Sequence, residues 1–175
     1  MKNILPIATL LISILLASNS HAEDQKIEFF IEAQKLFYLH ELREAEILVN
    51  SCPEVKSFYE LWIPMKEAEQ EMDLIAFKWR LSNNPNSINW ENPWDWTTPL
   101  ESSDEEQKLS EISIEYRTSR EEFLKRRSLL HNNKHLFQLR KDAYDKNRKA
   151  MNDIEKMFTE DLEMLQLKVK DKIIS

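Results

Sequence analysis

The sequence has 175 residues, no glycine, one cysteine and a formal net charge of −7 at pH 7. Apolar residues make up 42% of it and charged residues 31%, a balance that excludes both a disordered polymer and a membrane bundle. Without glycine there is no phosphate-cradling loop, no dinucleotide fingerprint, no G-x-S-x-G nucleophile elbow and no standard calcium loop.

The first 22 residues read as an export signal, and residues 23–175 as one helical domain. Lys2 supplies a positive start, and an apolar run from Ile4 to Ala17 follows, broken only by Pro6, Thr9 and Ser13. That run is shorter than the ~20 apolar residues of a membrane span but suits a signal core. Ser20 and Ala22 place small residues three and one before a cut after Ala22. No later stretch is apolar enough to cross a bilayer, so no transmembrane segment is expected after cleavage. The expected location is the periplasm, with release outside the cell as the alternative. A lone Cys52 cannot form an internal bridge in an exported chain. It is either a small, half-buried thiol or a thiol that pairs with another chain.

The fold class expected is all-α: a single-domain antiparallel bundle of three to four long helices with one long tryptophan-rich loop. The first helix spans about Gln25 to Asn50, with Ile27, Ile31, Tyr38, Leu42, Ala45 and Val49 on one face and Phe30, Phe37 and Leu48 widening it. Glu28, Glu32, Lys35, Glu41 and Glu44 fill the opposite side. The second helix spans about Pro53 to Leu81, with Val55, Phe58, Trp62, Met65, Met72, Ala76 and Trp79 in alternating steps of three and four. Glu69 is the one polar residue on that stripe and the carboxylate expected to be partly buried. Pro64, inside this helix, predicts a kink near Glu60 to Pro64, or a break.

Residues 82–102 read as a loop, punctuated by Asn83-Asn84-Pro85, Asn92-Pro93 and Pro99. The third helix starts at Ser102 or Ser103, where a serine cap and an acidic residue three positions on can form a capping box. Leu109, Ile112, Tyr116, Phe123 and Leu130 line its face. Asn132-Asn133 either ends it or lies inside one long helix that reaches Ile173. Asparagine is the next residue after glycine able to take the left-handed conformation that closes helices. Asn50, Asn83 and Asn132 stand near the expected ends.

Charge is distributed unevenly. Residues 23–116 hold 8 basic and 21 acidic residues, whereas residues 117–149 hold 11 basic and 4 acidic. Two readings fit the basic block, whose candidate face is Arg120, Arg126, Arg127, Arg140, Lys141 and Arg148. It can neutralise the acidic helices beside it, or it can receive an anionic partner such as lipopolysaccharide or an acidic protein. Nucleic acid is excluded as a partner by the acidic, exported chain as a whole.

The stretch from Asn89 to Pro99 places Trp90, Trp94 and Trp96 within seven residues, with Asp95 among them. Such faces can stack on a sugar ring of peptidoglycan, anchor a partner protein, or fold back to close one end of the helices over Trp62 or Trp79. His131 and His135 stand four apart without an evident third ligand, so no metal site is assigned. No catalytic residue and no cofactor are assigned either, because no pair of carboxylates and no nucleophile–base pair is singled out. The expected function is binding of another envelope or secreted protein, as adaptor, chaperone-like holder or inhibitor. The alternatives are a cell-wall glycan-binding module and a cell-wall hydrolase.

Overall fold

The computed structural model of the chain describes residues 5–92 and 103–174, with side chains for 22–92 and 104–173. The described residues are helical, without a strand. They form six α-helices rather than three to four: α1 (Leu5–Ser51), α2 (Lys56–Asn83), α3 (Ser103–Ile112), α4 (Ile114–His131), α5 (Lys134–Lys146) and α6 (Arg148–Val169). Short 3-10 turns at Pro53–Val55 and Pro85–Ser87 flank α2, and a π turn covers Lys170–Ile174.

Three breaks that sequence periodicity either left open or passed over account for the higher count. Ser113 leaves the helical region at φ −118°, ψ 111°, and its Oγ accepts the Tyr116 N–H at 3.1 Å, so it caps α4 from inside the expected third helix. This turn leaves Ile112 and Ile114 71% and 72% exposed, and Ile112 therefore drops out of the predicted face. Asn132-Asn133 does separate α4 from α5, which excludes a single rod from Ser103 to Ile173. Asn147 separates α5 from α6; its amide Nδ2 donates to Ser51 Oγ at 2.6 Å and to the Ala143 carbonyl at 2.8 Å.

The asparagines end helices by a different device from the one expected. No described residue has positive φ, so the left-handed closure does not occur. Instead the side-chain amide turns back onto a carbonyl of the last turn. Asn83 donates to Trp79, Asn133 to Leu129 and Asn147 to Ala143, at 2.9, 2.8 and 2.8 Å. Each side chain adds a donor to a carbonyl four residues back, in the last turn of the helix that ends there. Pro64 does not break α2, which runs uninterrupted through it.

Three apolar clusters hold the helices together. The first joins Ala45 and Leu48 of α1, Phe58, Tyr59 and Met65 of α2, Leu130 of α4, Leu136 and Ala143 of α5, and Met151 and Ile154 of α6. The second joins Phe29, Phe30 and Ala33 with Phe77, Leu81, Ile88, Leu165 and Val169. The third packs Met72 and Ala76 against Leu109 and Tyr116. The buried face of α1 keeps Phe30, Ala45 and Leu48 of the expected stripe and adds Phe29. Leu42 is exposed, while the large rings of Phe29 and Phe30 take the interior positions, since they remove the most apolar area from water. Phe30 stacks on Phe77 with ring centroids 4.1 Å apart.

Along α1 and α6 the packing alternates rings with charges. His40 stacks on Phe158 at 4.5 Å, and Phe37 meets the same ring edge-on at 5.1 Å. Arg43–Asp161 at 3.6 Å and Lys168–Glu32 at 3.1 Å cross the same seam.

Candidate functional site

Two neighbouring recesses lie along α2 and share Lys66 and Glu69 in their linings. The larger, of about 540 Å³, lies among α2, α4 and α5 and reaches Glu106 of α3. Its floor is aromatic and aliphatic: Trp62, Met65 and Met72 from α2, Tyr116 and Phe123 from α4, Phe137 from α5. Leu124 and Phe137 remain 39% and 37% exposed. The rim carries Arg120, Arg127 and His131. Arg120 is paired with Glu106, while Arg127 is exposed and has no ion pair among the described residues. The arrangement offers an apolar floor with a free guanidinium at its edge, which suits an apolar side chain carried on an acidic segment.

The smaller recess, of about 270 Å³, lies between α1 and α2 and is lined by residues of those two helices. Gln34 and Gln70 close it with a reciprocal pair, each amide donating to the other's backbone carbonyl at 2.8 Å. Glu69 accepts from Lys66 at 2.6 Å, and Glu41 accepts the Trp62 indole N–H at 2.7 Å. Asp73 is buried, and its Oδ1 has no hydrogen-bond partner among the described residues. Burial pushes the Asp73 carboxyl well above the ordinary carboxylate range, and the neighbouring Glu69 adds to the shift. Burial also raises Glu41.

Between these recesses and the Asn147 break sits a polar knot. The Glu44 carboxylate, 5% exposed, accepts from the Tyr59 hydroxyl at 2.5 Å and from Arg140 Nε at 2.8 Å. It ties α1, α2 and α5 together. Burial raises the Tyr59 hydroxyl, and its hydrogen bond to Glu44 raises it further. Glu44 was expected on the solvent side of α1 and Glu69 as the partly buried carboxylate. In the structure Glu44 and Asp73 are the more deeply buried, because Arg140 and the α2 packing face reach them. No local signal marks Glu44, whose partner is 96 residues away.

The residues singled out from sequence are dispersed. Of the basic block, Arg140 faces inward to Glu44, Arg126 pairs with Glu122 at 2.7 Å and Arg148 with Asp145 at 2.6 Å. Lys141 is exposed on α5 and Arg127 is at the groove rim. Trp90 is half-buried, packs edge-on to Phe77 at 6.0 Å and lies under Lys26. It thus folds onto the second cluster, over Phe77 rather than Trp62 or Trp79. Trp94, Asp95 and Trp96 fall outside the described residues. Cys52 is half-buried at the α1–α2 junction, packed against the first cluster. His131 ends α4 and His135 lies in the first turn of α5, on either side of the Asn132-Asn133 break. No helix among the described residues is long and apolar enough to cross a membrane. No family model matches the chain, and neither a curated protein nor a solved structure shows significant similarity to it.

Proposed function

We propose that the chain is an exported, non-enzymatic helical protein of the bacterial envelope, cut after Ala22, that works by binding another protein in the groove between α2, α4 and α5. Its helices form one antiparallel bundle. The pairing of mid-α1 with late α2 and late α6 through Phe30, Phe77 and Leu165, and of the end of α1 with early α2 through Leu48 and Phe58, supports that arrangement. The observation that carries the binding role is the coincidence of an aromatic floor with Arg127 at its rim, which has no ion pair among the described residues. A partner that inserts an apolar side chain beside an acidic one would cover both at once. Aromatic and arginine residues in such recesses are the usual energetic anchors of protein interfaces.

A photo-crosslinking residue at Leu124, with a second at Met164 on the far helix as control, tests this in intact cells. The expected result is one defined protein adduct at Leu124, absent at Met164 and lost with Arg127→Glu. Equal labelling at both positions, or labelling indifferent to Arg127→Glu, would refute the groove as the contact. Tryptophan fluorescence that responds instead to cell-wall oligosaccharides would replace this reading with glycan binding through Trp90, Trp94 and Trp96. Mass measurement of the purified protein checks the export step, the expected first residue being Glu23.

A further inference from the structure

We propose that the solvent-facing side of α1 is the contact by which two copies of the chain pair, antiparallel and two-fold symmetric, with Leu39 of each against Leu42 of the other and Lys35 against Glu46. None of these four residues lines the groove, so the pairing stands apart from the role given to it.

The two flanks of α1 are committed and its outer face is not. The Tyr38 hydroxyl donates to Glu67 of α2 at 2.7 Å, while Arg43–Asp161 and Lys168–Glu32 tie α1 to α6. Between these contacts Lys35, Leu39, Leu42 and Glu46 recur in steps of four, three and four, and all four are exposed. At 3.6 residues per turn they fall within an arc of about 60°. The spacing is that of a seam between paired helices. The leucines are 39% and 36% exposed on adjacent turns of a face that a bundle helix normally gives to charge. Lys35 and Glu46 make no ion pair and no side-chain hydrogen bond among the described residues.

Read antiparallel, the stripe is its own complement. The two leucines and the two charges are disposed symmetrically about one point, midway between His40 and Glu41. A two-fold axis through that point, perpendicular to α1, sets Leu39 against Leu42 twice and Lys35 against Glu46 twice. A parallel pair would instead put Lys35 on Lys35 and Glu46 on Glu46, so the charges select the antiparallel register. The leucines then form a small apolar centre with an ion pair on either side, about 16 Å apart along the helix. Such an isologous contact closes at two copies. A second copy meets the cation and the anion of the stripe at their own spacing, a match that any other partner would have to reproduce.

Only one helix face from each copy takes part. That puts the contact at the small end of specific interfaces, and dissociation in the micromolar range is expected. The same register holds the two Cys52 residues about 34 Å apart along the helices, so no disulfide joins this pair.

Sedimentation equilibrium of the purified protein and its charge variants tests the proposal. The parent chain is expected to show a monomer–dimer equilibrium that reductant leaves unchanged. Lys35→Glu and Glu46→Lys each replace two attractions by repulsions and should weaken association at least about tenfold. An equimolar mixture of the two single variants rebuilds both charge pairs between unlike chains and should associate as well as the parent. The double variant Lys35→Glu, Glu46→Lys should do the same. Recovery in the mixture excludes unfolding as the cause of the loss. A parent chain that stays monomeric at about 1 mM, an association indifferent to Lys35→Glu, a mixture no tighter than either variant alone, or a dimer that reductant dissolves would each overturn the assignment.

Discussion

The two ends of the α1–α2 pair are closed by opposite means. Near the Asn83 end the closure is apolar: Phe30 stacks on Phe77, and Trp90 covers them from the following segment. Near the Lys56 end it is polar: Glu44, Tyr59 and Arg140 meet inside the first cluster. Hydrophobic burial is non-directional and tolerates small shifts, whereas a charge pair with fixed hydrogen bonds accepts one geometry. Both ends bury large apolar clusters, and the polar knot within the first of them sets the register in which α5 docks on the first two helices.

The largest effect expected is at the aromatic end. Phe77→Ala removes a side chain 1% exposed and should cost about 3–5 kcal/mol in urea unfolding. A smaller loss would show that the interior there recloses. At the polar end Arg140→Met leaves Glu44 buried without its cation, and a loss of about 3 kcal/mol is expected. Part of the Arg140 side chain, 31%, is exposed, which keeps the value at the low end of the range for broken buried pairs. The double variant Glu44→Gln, Arg140→Met should recover much of that loss. If it does not, the knot contributes attraction as well as register, and the contrast between the two ends weakens.

Between the two ends lies Asp73, whose carboxyl keeps its proton more readily in the folded than in the unfolded chain. The folded state then binds more protons than the unfolded state once pH exceeds the ordinary carboxylate value. Stability from this group is complete below that value and falls as pH rises toward the folded-state value. Asp73→Asn should remove this fall, because an amide has no carboxyl proton to lose, so the variant should gain on the parent chain as pH rises. Melting temperature measured against pH for both chains decides it. The smallest effect expected is for Asn147→Ala, which deletes the bonds to Ser51 and Ala143. It should cost about 1 kcal/mol, and hydrogen exchange should rise at the end of α1 as well as at the α5–α6 joint.

The helical class was legible because its cause is local. Alternating steps of three and four from the Pro53–Val55 turn into α2 put Val55, Phe58, Met65, Met72 and Ala76 inside, as periodicity requires. Proline and asparagine marked the α1–α2 junction and the Asn132-Asn133 break. The Ser113 and Asn147 breaks were not legible, since a single serine or asparagine between good helical patterns is tolerated in many helices. The candidate sites were less legible still. Asp73 and Glu44 carry no local mark, because a carboxylate in a charged helix reads as solvent-facing until its distant neighbours are in place. The basic block was visible as composition, but composition does not separate Arg140, turned inward to Glu44, from Arg127, left at the groove rim.

The way the helices stop has a consequence for how this molecule can change. A helix closed by a left-handed glycine is hard to lengthen, because any other residue placed there meets a steric penalty. Asn132 sits at φ −72°, ψ −12°, and the break is made by Asn133 at φ −108°, ψ 57°, where φ is negative and a rotation of ψ restores the helix. Substitution at such a joint can merge two rods into one without straining the chain, so segment length in the C-terminal half is a trait that drift can adjust one residue at a time.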